Sequence, residues 1–172
     1  MNRAIEQLLN EVSSSEPTRA RNAIVRTTLI LEWDTQGHLD KSAAEGFPQL
    51  GLYSAPPTDA DVIGLIRGLD VHLQDPSRNE ELQQSILSAL SKSGRKEAFA
   101  VFTKLLNKTR NLKSLCESTD VLQAVADFLD DPIFRSNHAK DLTNLVSSLK
   151  LFTLSNPGAE AARKRIIASA AE

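Results

Sequence analysis

Ile24-Val25-Arg26-Thr27-Thr28-Leu29-Ile30-Leu31-Glu32-Trp33 is the stretch on which the fold class turns. It is rich in β-branched residues, which stiffen χ1 and favour strands. Its flanks argue the other way. Ser15 can cap a helix whose first turn holds Glu16 and Pro17, both favoured there. Gly37 supplies a left-handed stop at the far end. Ala20, Ile24, Thr27 and Leu31 share one helical stripe, and no partner strand is evident. The caps at both ends agree, so a helix running toward Gln36 is preferred, with a strand over 24–33 as the alternative.

Outward from this stretch the apolar spacing stays helical. Ile5, Leu8, Leu9 and Val12 line a first helix from Arg3 to Val12, broken by Ser13-Ser14-Ser15. Residues 37–58 form one long irregular segment, punctuated by Phe47-Pro48, Gly51 and Ala55-Pro56-Pro57. Its apolar Phe47, Leu50, Leu52 and Tyr53 predict a strap packed on the helices. Thr58 with Asp61 has the form of a capping box with Asp in the Glu position. Val62, Ile63, Ile66, Leu69 and Leu73 then make a stripe that ends at Asp75-Pro76. Ser77 with Glu80 opens a helix toward Gly94, and another spans Arg95 to Asn107. Ser118 or Thr119 opens one that closes at Asp131-Pro132, and Ser136 opens the next. Asn156-Pro157-Gly158 precedes a last, Ala-rich helix from Ala159 to Ala171.

The expectation is an all-α fold: a multi-helix bundle or short α-solenoid of about seven to eight helices. The chain has 172 residues, which fits one domain over 1–172. Within it we read an N-terminal helical pair (1–36), a packed loop (37–58) and a bundle or solenoid-like part (59–172).

Composition excludes several function classes. One cysteine, Cys116, rules out a disulfide framework and any multi-cysteine zinc site. Aromatic residues are 5%, thin for a base-stacking or sugar-binding platform. The longest apolar run is Ala98-Phe99-Ala100-Val101-Phe102, far short of the ~20 residues a membrane span needs. No uninterrupted apolar core of a secretory signal lies near Met1. An intracellular, reducing compartment is therefore expected, cytoplasmic by default.

Two stretches share a grammar. Val62-Ile63, Leu69 and Leu73-Gln74-Asp75-Pro76 lead through a turn into Leu82, Ile86 and Leu90. Val121-Leu122 and Leu129-Asp130-Asp131-Pro132 lead through a turn into Leu142, Val146 and Leu149. Pro stops the first helix of each pair and presets the start of the next. In this, residues 59–153 resemble the HEAT and armadillo class of helical repeats. The resemblance implies stacked helical pairs and carries no functional residue with it. An Asp-Pro turn also suits any stacked helical hairpin, and that reading stays open beside it.

Residues that carry chemistry are sparse. His38, His72 and His138 have no second ligand at metal spacing, and each reads as a surface or capping residue. No HExxH, GxSxG, GxGxxG or phosphate loop is present. Asp59/Asp61 and Asp130/Asp131 sit at helix boundaries, where capping explains them. We expect no enzyme activity, no metal and no small-molecule cofactor.

Charge patterning stands above this background. The net charge is −2, yet residues 92–113 carry seven basic side chains against Glu97 alone, a window of +6. They are Lys92, Arg95, Lys96, Lys104, Lys108, Arg110 and Lys113. The flanking windows 59–81 and 114–132 stand at −4 and −5. Lys104 and Lys108 fall opposite Phe102 and Leu106 on a helical projection, so they face solvent. Such a patch suits a protein partner or a second copy of the chain. It also suits a phosphate backbone, which makes a nucleic-acid-associated structural subunit of viral or ribonucleoprotein type the alternative. Intramolecular pairing with the acidic neighbours is the third reading.

Overall fold

The computed structural model describes residues 3–39, 56–75, 80–106, 119–151 and 153–171. Among them are nine α-helices and no strand. They are α1 (Arg3–Val12), α2 (Pro17–Gln36), α3 (Asp59–Leu73), α4 (Glu80–Leu90) and α5 (Lys96–Leu106). α6 (Thr119–Phe128), α7 (Pro132–Asn137), α8 (Ala139–Leu149) and α9 (Pro157–Ser169) follow.

The deciding stretch is helical, inside α2. Its threonines fit because their hydroxyls bond back within the helix: Thr27 to the Ala23 carbonyl (2.9 Å) and Thr28 to that of Ile24 (2.8 Å). Ile24, Ile30 and Leu31 are buried, so packing outweighs their modest helix propensity. Gly37 ends the helix at φ 69°, its N–H donating to the Asp34 carbonyl and that of His38 to Trp33. The start differs from expectation. The N-cap is Glu16, not Ser15, and it makes no side-chain cap bond. Instead the Ser14 hydroxyl accepts from the Glu16 N–H (3.1 Å), and Pro17 sets the first turn.

Other local signals formed as read. The Thr58 hydroxyl accepts from the Asp61 N–H (3.3 Å), while the Asp61 carboxylate accepts from the Thr58 N–H (3.0 Å), closing the box. Asn156 caps α9, accepting from Gly158 and Ala159 N–H. Nine helices among the described residues agree with the expected multi-helix fold, and Asp131-Pro132 starts one as well as stopping one. Asp131 accepts from the Ile133 N–H (2.9 Å) and Pro132 takes the first position, so α7 forms where a plain turn was expected. The next helix accordingly begins after His138 and not at Ser136.

The chain groups into two compact units, Met1–Glu97 and Ala98–Glu172. This grouping does not follow the boundary read at 58: α3 and α4 belong with the N-terminal pair. In the first unit α2 packs on α1 and α4, and α3 touches all three. Ile5, Val12, Ile30, Leu31, Leu65, Ile66, Leu69, Ile86 and Leu90 are fully buried there. Each is worth roughly 1.5–3 kcal/mol of transfer free energy. Gly68 lies mid-helix, where glycine costs about 1 kcal/mol against alanine. A Cβ there would meet the tip of the Leu9 side chain at 2.6 Å, so a larger residue would force Leu9 to shift.

In the second unit α9 lies along α6 and touches α8, and α7 abuts α8. Phe99 is fully buried and meets Phe134 (4.8 Å) and Phe128 (5.4 Å) edge-on. His138 stacks on Phe134 at 4.3 Å. The two helical pairs read as similar thus differ in their packing. α3 and α4 are direct neighbours, whereas α7 intervenes between α6 and α8 and α6 packs chiefly on α9. The strap expectation for 37–58 falls mostly on residues outside those described, although Leu39 and Pro57 at its two ends are buried.

Candidate functional site

The basic window begins at the turn between α4 and α5. After Leu90 the chain turns through Ser91-Lys92 and reaches α5 by way of Gly94 and Arg95. Thr35, in the last turn of α2, holds this turn. Its hydroxyl lies 2.9 Å from the Lys92 carbonyl and 3.0 Å from that of Leu31, and accepts from the Gly94 N–H (2.8 Å). A Cβ at Gly94 would sit 3.1 Å from the Thr35 methyl, so a side chain there would press on this contact.

Arg95 faces into the first unit. Its Nε and Nη2 donate to the two oxygens of Asp34 (2.7 and 2.5 Å), and Nη2 also reaches Asp59 (2.7 Å). The hydrogen bond to Asp34 raises the guanidinium pKa further above its ordinary value, against the opposing effect of burial. Arg95 is therefore occupied by internal partners, and sequence spacing did not reveal this. Asp34 and Asp59 stand 61 and 36 residues away from it.

Lys92 and Lys96 are exposed, and neither makes an ion pair among the described residues. These two lysines and Arg95 belong to the first unit. Lys104 belongs to the second, where it is exposed and Phe102 is buried, as the helical projection required. Lys108, Arg110 and Lys113 lie outside the described residues.

Three acids of the flanking windows pair elsewhere. Asp127 and Asp130 of the −5 window pair with Arg165 on α9, the Asp127 contact measuring 2.8 Å. Glu81 pairs with Arg21. Asp59 of the −4 window meets the basic window through Arg95.

Two further clusters are structural. Glu11 is buried and accepts from Arg26 and from Gln7 (3.1 Å), with Arg19 at 3.6 Å. Arg163 is buried on α9, grips Glu160 (2.7 and 2.6 Å) and donates to the Leu149 carbonyl (2.9 Å) at the end of α8. With Leu154 N–H also donating to it, Glu160 is held down to about 2, chiefly by Arg163. Arg163 and Arg165 of the short basic run are thus committed to the fold.

The histidines are dispersed. His38 is exposed beyond the Gly37 stop. His72 Nε2 lies 3.1 Å from the Ser13 hydroxyl, tying the end of α1 to that of α3. His138 lies 3.7 Å from Asp141. Cys116 lies outside the described residues. Among the described residues no three His, Cys, Asp or Glu side chains are grouped to hold a metal ion. No helix there is long and apolar enough to cross a membrane. Compared with known proteins, the chain matches no family model and no curated protein.

Proposed function

We propose that this chain is a non-enzymatic protein-interaction or self-assembly module, which meets its partner through the basic 92–113 window. The observation that carries the reading is the held turn beneath Lys92. Thr35 bridges Lys92 and Gly94, and Asp34 clamps Arg95, so two exposed lysines flank a fixed backbone. A preordered cationic surface loses little conformational entropy on binding. Lys92 and Lys96, which make no ion pair among the described residues, keep their charge available for an acidic surface. Arg95 acts as scaffold in this reading, and Lys92 and Lys96 make the contact. An intracellular, reducing setting suits the single cysteine.

The test is the double reversal Lys92→Glu/Lys96→Glu in the full chain, which leaves Asp34, Thr35 and Arg95 intact. Light scattering across a concentration series reads self-association, and affinity capture with quantitative binding reads a protein partner. The variant is expected to keep the wild-type circular dichroism and lose association. Unchanged association overturns the reading.

The nucleic-acid alternative rests on the same two exposed lysines. It requires binding that weakens steeply with salt and depends little on sequence. A filter-binding titration at two salt concentrations separates it from the protein-binding reading.

A further inference from the structure

We draw no further inference here: the strongest candidate, the open cleft on α2 lined by Arg19, Asn22, Val25, Arg26 and Leu29, carries none because both of its guanidiniums face Glu11, Glu16 lines it with the opposite charge, and nothing in the structure shows what covers it.

Discussion

Arg95 holds Asp34 through two parallel hydrogen bonds, Nε to Oδ2 at 2.7 Å and Nη2 to Oδ1 at 2.5 Å, across 61 residues of chain. The Asp34 side chain is 6% exposed and that of Arg95 24%, so the pair is largely shielded from water. A planar fork against a carboxylate is the strong form of such a contact. It joins the end of α2 to the start of α5.

The two acids on Arg95 should differ sharply on removal. Asp34→Ala leaves a half-buried guanidinium with one partner and should cost about 1–3 kcal/mol. Asp59 is 84% exposed, and Asp59→Ala should cost below about 0.5 kcal/mol. Urea unfolding monitored by circular dichroism reads both. Equal losses would show that Asp34 is not the principal anchor.

Thr35→Val keeps the shape of the side chain and removes the hydroxyl that ties Lys92 to Gly94. It should cost about 1 kcal/mol, since the Gly94 N–H loses its partner. Hydrogen exchange at the Gly94 amide should accelerate, while amides in the middle of α3 keep their protection. Unchanged exchange at Gly94 would mean that the turn is held by its own backbone.

Glu160 gives the second unit a defined acid sensitivity. Its folded pKa is depressed from 4.5 to about 2, so its pairing stabilises the fold above the unfolded value. That contribution is lost as pH falls from about 4.5 toward 2. Glu160→Gln should therefore melt below wild type at pH 7, and the difference should shrink across that window. A constant difference in Tm from pH 7 to pH 2 would contradict the assignment.

Phe99→Ala removes a fully buried ring from contact with Phe128, Phe134 and His138. A loss of about 3–5 kcal/mol is expected from transfer and cavity terms together. Thermal melting followed by near-UV circular dichroism reads the lost aromatic packing directly. A loss under about 1 kcal/mol would mean that the cluster collapses around the gap.

The helices were largely legible because their signals are local. Thr58 with Asp61, Gly37 after Gln36, and Asn156 before Pro157 each act within a few residues, through backbone groups the helix itself leaves open. The misses were local as well. Glu16 displaced Ser15 as the cap because Ser14 bonds to the Glu16 N–H. Asp131 was read as an end when it also begins α7. An Asp-Pro pair serves both purposes, and only the dihedrals that follow distinguish them.

The candidate surface was legible in position and not in role. Counting charges found Lys92, Arg95 and Lys96 as equals. It had no means to set Arg95 apart, because Asp34 belongs to another helix and no periodicity links the two. Thr143 and Ser147 likewise read as polar, yet their hydroxyls bond inside the helix.

By itself, then, the amino-acid order determined that this protein is all-α, where most of its helices begin and end, and which face of each is apolar. Those outcomes follow from propensity, capping and a period of 3.6 residues, all of which operate within a few turns. Only the tertiary structure decided which charges remain available. Arg95, Arg163 and Arg165 are bound to acids and carbonyls, while Lys92 and Lys96 face solvent. A charge is satisfied by whatever helix face arrives within about 3 Å of it, and packing of the whole unit sets that arrival.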